Sequence, residues 1–278
     1  MRKLLISVDM EGTAGVVSPK SLMPTGWEYQ AYRKWMTKEL NAVAQAAFDA
    51  GYDEVIATDG HGNSQNLDPD LILDNINLVR GWPRPLLQME RIDDPAVEAC
   101  AFVGYHAAAG DADGVMAHTF FGAAFRSVKL NGEIASEGYF NAALAGAYDK
   151  PVIFVSGDRS VLDDARRYAP DASMLATKTA FGFRSQMALA PGQVCRALGE
   201  AAKESFSKPL PKPFKVDPPY TVELEMTTHT AAQVLGYLPW ITRVDAWTVK
   251  AEFTSMDDAM RFIAFVISFQ ATGQMITD

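Results

Sequence analysis

Side chains able to hold a metal ion are few in this sequence and unevenly placed. Asp9 and Glu11 directly follow one apolar run, Asp59 and His61 a second, His106 a third and Asp158 a fourth. Three of the four histidines belong to this set or fall just beyond it, counting His118 in the loop 116–119. Residues two apart on an extended chain project to the same side, so Asp9 and Glu11 can address one ion. Carboxylate oxygen with imidazole nitrogen, and without thiolate, suits Zn²⁺, Mn²⁺ or Fe²⁺. Each residue alone has an ordinary explanation. An aspartate after a strand caps the next helix, Asp158 in Ser-Gly-Asp suits a turn, His61 sits in a glycine-rich turn, and His106 can be a satisfied core histidine. Those separate explanations leave the gathering of histidines and carboxylates at successive run ends unaccounted for.

The elements that must position them read as strands at 3–8, 54–58, 99–105 and 151–156, each apolar along its length and bounded by Gly, Asp or His. Between the first two, Trp35, Met36, Leu40, Val43 and Ala47 recur at helical spacing over about 28–50 and stop at Gly51. A second helix, about 137–148, feeds the strand at 151. Fully apolar strands alternating with helices predict an α/β fold: a mainly parallel sheet covered by helices, whose strand ends open on one crevice. The segment 208–219 is rich in proline and lysine and reads as a linker. Beyond it, strands at 220–226 and 243–253 and helices at 230–237 and 256–271 predict a small C-terminal α+β domain, 220–278, after a metal-binding domain at 1–207.

The 278 residues carry a net charge of −9, with 48% hydrophobic and 21% charged residues. This is globular composition, and the negative balance argues against nucleic acid or an anionic membrane as partner. The apolar start is interrupted by Asp9 and Glu11, which argues against an export signal, and the longest apolar stretch, 262–269, is far short of a membrane span. Cys100 and Cys195 lack any paired spacing and read as buried thiols of a reducing compartment, so a cytoplasmic protein is expected.

Taken in order, the strings SVDMEG (7–12), DGHG (59–62), GYHA (104–107), AHT (117–119), NGEIASEG (131–138) and PVIFVSGD (151–158) resemble the DppA-type D-aminopeptidases, a family of dinuclear zinc metallopeptidases. The resemblance implies two divalent ions per chain, zinc first among the candidates. One would be held by Asp9, Glu11 and His61, and the other by a bridging Asp9, His106 and a glutamate of the NGEIASEG motif. Glu137 is placed in that role by the glycine that follows it, with Glu133 the competing choice. The resemblance further implies that His118 is catalytic and outside the ligand shell, and that the substrate is a short peptide with an N-terminal D-residue. It also implies a homo-oligomer, a decamer of two stacked pentamers. Two metal ions about 3.5–4 Å apart activate water and polarise a carbonyl, which makes amide hydrolysis feasible at neutral pH. Asp59 is then expected to fix the His61 tautomer, and Asn63 and Ser64 are possible contacts. No substrate-binding residue is assigned; Phe120, Phe121, Tyr139, Phe140, Phe181 and Phe183 serve equally as pocket, core or subunit contact.

Two rivals share the scaffold. A nucleotide-binding module conflicts with two carboxylates in the first βα turn, where phosphate needs bare N–H groups. A dinuclear phosphoesterase should show Arg or Lys near the metals, and Arg126 and Arg159 are the nearest in sequence. His229, before a helix, reads as a flanking residue.

Overall fold

The computed structural model describes residues 1–277. Its strands are β1 (Lys3–Val8), β2 (Glu54–Asp59), β3 (Ile76–Val79), β4 (Val97–Tyr105), β5 (Phe125–Leu130), β6 (Glu133–Ile134), β7 (Val152–Asp158), β8 (Ser173–Gly182), β9 (Ser185–Ala188), β10 (Tyr220–Met226), β11 (Thr242–Arg243) and β12 (Thr248–Phe253). Its helices are α1 (Tyr29–Asp49), α2 (Glu137–Ala147), α3 (Arg159–Ala165), α4 (Pro191–Phe206), α5 (His229–Leu235) and α6 (Met256–Thr277).

Seven strands form one sheet in the order β3-β2-β1-β4-β7-β8-β9, parallel throughout except for β9. The chain steps outward from β1 through β2 to β3, then returns to β4 on the other side of β1. The ends of β1 and β4 therefore flank the switch point of an open parallel sheet, where a crevice forms. Alternation along β1 sends Leu4, Ile6 and Val8 to one face, where they pack with Met36, Leu40 and Val43 of α1 and Val194 and Leu198 of α4. Leu5 joins the opposite layer with Phe102, Phe140 and Leu144. Because both faces are buried, the strands carry apolar residues at nearly every position, and cutting one of these leucines to alanine costs about 2–5 kcal/mol.

The second sheet is antiparallel, in the order β11-β12-β10-β5-β6. β10 alternates inward Tyr220, Val222, Leu224 and Met226 with more exposed residues, and packs on Met256, Met260 and Ile263 of α6. The segment after the proline-rich stretch thus does not close a sheet by itself; it takes β5 and β6 from the chain between β4 and α2. The expected extended run at 243–253 is two strands, because Asp245 accepts from the Trp247 and Thr248 amides and turns the chain between them. Residues 208–219 hold neither helix nor strand. They cross α2, where Lys215 donates to the Gly146 carbonyl at 2.6 Å.

Candidate metal centre

The first loop is held against β4. The Asp9 amide donates to the Val103 carbonyl at 2.8 Å and the Gly12 amide to Gly104 at 2.7 Å. A Cβ at Gly12 would overlap the Tyr105 carbonyl oxygen, and one at Gly104, whose φ is +72°, would overlap that of Asp9. Only glycine lets the two chains approach this closely, and the approach sets Asp9 and Glu11 beside His106. Lys178 of β8 reinforces the loop from below, its buried ammonium donating to the carbonyls of Glu11, Thr13 and Val16. The loop after β2 closes on Asp59, whose carboxylate accepts from the Asn66 and Leu67 amides and from Asn66 Nδ2. Asn66 Nδ2 also donates to the His61 carbonyl at 2.6 Å. Glu137 enters at the first turn of α2, after Ser136 has capped the Tyr139 amide, and its negative charge suits that helix end.

Among the described residues, two groups of three could each hold an ion: Asp9, Glu11 and His61, and His106, His118 and Glu137. His61 Nδ1 lies 2.9 Å from Glu11 Oε2 and 3.8 Å from Asp9 Oδ1. His106 Nε2 lies 3.2 Å from Glu137 Oε1 and 3.5 Å from Asp9 Oδ2. Asp9 therefore offers one oxygen to each group. His118 Nε2 is 3.9 Å from both Glu11 and Glu137, and its Nδ1 is 2.9 Å from the Met116 carbonyl. Gln88 Nε2 donates to Glu137 Oε2 at 2.5 Å and the Phe120 amide to Oε1 at 2.6 Å, so the glutamate is fixed from both sides.

Three carboxylates buried this closely repel one another. Burial, followed by the charges of Glu11 and Glu137, pushes the Asp9 carboxyl up to about 8. Burial works against charge on His61 as well, but Glu11 and Asp9 outweigh it and hold that imidazole at about 9. His106 is likewise raised, against burial, by Glu137 and Asp9. His118 is lowered by burial and by its neighbour His106. The donor set fits divalent cations: His106 Nε2 is fully buried without a hydrogen-bond partner, and two carboxylate oxygens lie 3.2 and 3.5 Å from it. A cation between them would satisfy the lone pair and neutralise the oxygens together.

Other expectations resolve differently. Asp158 does not reach the group; it caps α3 through the Val161 amide and accepts from Val115, which is the helix-capping alternative. Asp59 does not touch the His61 ring. His61 Nδ1 faces Glu11 and Nε2 the Leu22 carbonyl, so Asp59 acts on the His61 backbone through Asn66. Glu133 is exposed and pairs with Arg167 at 3.2 Å, whereas Glu137 is buried in the second group. His229 lies against Trp247, in the second sheet's layer. Asn63 is an exposed turn residue, and Ser64 accepts from Arg84. Lys178, Gln88 and Asn66 had no sequence signal beyond ordinary polar residues in loops and strands.

A cleft of about 740 Å³ opens over the centre, lined by Glu11 and His118 and, farther along the chain, by Phe183, Arg126 and Arg184. Of the six aromatic residues considered for a pocket, only Phe183 lines it.

The sequence profile of one protein family, described as D-aminopeptidase, matches residues 2–265. A relative from Bacillus subtilis (strain 168), "D-aminopeptidase", is 30% identical over 269 residues, covering 95% of this chain and 96% of its own. A solved structure, "Zn-dependent D-aminopeptidase DppA from Bacillus subtilis, a self-compartmentalizing protease", superimposes with a TM-score of 0.90 at 27% identity, covering 96% of this chain and 97% of its own.

Proposed function

The chain belongs to the D-aminopeptidase family, peptidase family M55, and from that premise we propose that it is a zinc-dependent aminopeptidase that releases the N-terminal residue of short peptides, preferring a D-residue there. The observation that carries this reading is the placement of Asp9 between the two groups, one oxygen towards His61 and the other towards His106. In this reading Asp9, Glu11 and His61 would hold one zinc ion, and Asp9, His106 and Glu137 the other.

When bound, the zinc pair supplies Lewis acidity, which brings water ionisation into the neutral range and polarises the scissile carbonyl. The remaining work falls to the chain. Glu137 is clamped by Gln88 and the Phe120 amide, and Glu11 by the Lys178-braced loop, so the ligands are fixed before substrate arrives. His118 donates Nδ1–H to the Met116 carbonyl, which leaves Nε2 as an acceptor facing the cleft. Burial disfavours its charged form, and Nε2 is placed to take a proton from water and pass it to the leaving amine as the C–N bond breaks.

We further place the chemistry in residues 1–207, joined by 208–219 to 220–278, and assembly in a closed homo-oligomer of two stacked pentamers. Self-compartmentalisation of the Bacillus subtilis enzyme supports the oligomer, as do the exposed Phe181, Phe183, Met187 and Leu189 in and just after the β8–β9 hairpin. The free thiols of Cys100 and Cys195 suit a cytoplasmic setting. Among the described residues no helix is long and apolar enough to cross a membrane.

The test is hydrolysis of D-Ala-D-Ala and L-Ala-L-Ala by the zinc-loaded chain. D-preferring release that a chelator abolishes and zinc restores supports the reading. A zinc-loaded chain that cleaves neither overturns it.

A further inference from the structure

Two guanidinium groups, Arg126 and Arg184, line the same cleft as Glu11 and His118. Arg126, near the start of β5, lies 4.4 Å over the Trp247 ring, and its nearest carboxylate, Glu225, is 3.9 Å away, beyond hydrogen-bond length. The cation–π contact with Trp247 holds the guanidinium in place without using up its N–H donors. Arg184 sits in the turn between β8 and β9, beside Phe183, and among the described residues it has no ion-pair partner. The Phe183 carbonyl accepts from the Met116 amide at 2.9 Å, and the Met116 carbonyl faces His118 Nδ1 at the same distance. One loop therefore sets the positions of both His118 and the turn that bears Arg184.

Glu11 belongs with the metals it would hold; of the other charged side chains lining this cleft, Arg126, Arg184 and Glu225 sum to one positive charge, which a single carboxylate neutralises. We propose that Arg126 and Arg184 form an anion subsite for the C-terminal carboxylate of the substrate, so that the enzyme selects free di- and tripeptides over chains whose carboxyl end is blocked or distant. The proposal rests on the aminopeptidase reading, which puts the substrate's amino end at the metals. A cleft of this volume holds so short a peptide whole. Planar carboxylate against a pre-set guanidinium fork gives the strong, charge-assisted hydrogen bonds that discriminate acid from amide.

The experiment compares kcat/KM for D-Ala-D-Ala and for its C-terminal amide, read as peptide bonds cleaved by the zinc-loaded full chain (two D-alanines per acid, one per amide), in wild type, R126Q, R184Q and the double variant. Wild type should favour the acid on the order of 10- to 100-fold, chiefly through KM. Each single variant should lower that ratio and the double should bring it to about 2 or less, while R126K and R184K, which keep the charge but lose the fork, should fall between. A wild-type ratio near one overturns the subsite and leaves the aminopeptidase reading standing. A high ratio that survives in the double variant also overturns it, since the carboxylate is then read elsewhere. Failure of wild type to release D-alanine from either substrate overturns the aminopeptidase reading itself, and the subsite with it.

Discussion

The imidazoles of His106 and His118 are stacked, with ring centroids 4.1 Å apart and planes within 10° of parallel. Each has its Nδ1 beside a backbone carbonyl, Ala107 for one and Met116 for the other, and each turns Nε2 towards Glu137 Oε1, at 3.2 and 3.9 Å. They differ in depth: the His106 side chain is 1% exposed and that of His118 24%. The deeper ring is suited to a cation held away from water, and the shallower to a group that exchanges protons with a substrate.

That difference yields the first prediction. His118→Ala should keep two zinc ions per chain while kcat falls on the order of 100- to 10,000-fold. Elemental analysis beside steady-state kinetics separates the roles; loss of one zinc would make His118 a ligand instead.

His61→Ala removes the only imidazole of the first group and leaves Asp9 and Glu11 facing each other without a cation's third donor. The variant should lose zinc from that group and lose activity with it. Full zinc content and full turnover in the purified variant would be incompatible with the assignment.

Gly104→Ala tests the close approach of the first loop to β4. Its φ of +72° and the overlap with the Asp9 carbonyl force the backbone to move, at a cost of about 3 kcal/mol or more. A lower unfolding midpoint together with weakened zinc binding is expected. A variant as stable as wild type would show that the approach is not needed.

Glu39 gives a pH dependence. Burial pushes its carboxyl up to about 7; one oxygen accepts from the Ala14 amide at 2.9 Å and the other is buried without a partner. The folded value lies above the ordinary value of 4.5 that the unfolded chain keeps, so between 4.5 and about 7 the native state binds more protons, and this group's contribution to stability falls as pH rises. At ~1.4 kcal/mol per pH unit the loss is at most ~3.5 kcal/mol. Denaturation midpoints at about pH 5 and about pH 8 should differ less in Glu39→Gln than in wild type; an equal difference would remove Glu39 from the account.

The parallel sheet and the run ends were legible because strands buried on both faces must be apolar throughout, and because Asp9, Glu11, His61 and His106 interrupt that pattern where each strand stops. Asp158 carried the same signal for a different reason, since a helix N-cap and a metal ligand both place an aspartate after a strand. β5 and β8 were missed because their residues are only partly buried and mix polar with apolar side chains. Lys178 lies in β8, and no pattern along Ala-Thr-Lys-Thr-Ala reveals that its ammonium ends under the Glu11 loop, more than 160 residues away in sequence. Arg184 entered the cleft through the same unread hairpin.

The most direct test of the central claim is anomalous diffraction at the zinc edge from crystals of the zinc-loaded chain. Two peaks should appear, one among Asp9, Glu11 and His61 and one among Asp9, His106 and Glu137, with Asp9 touching both. A single peak, or peaks away from these side chains, would contradict the dinuclear site.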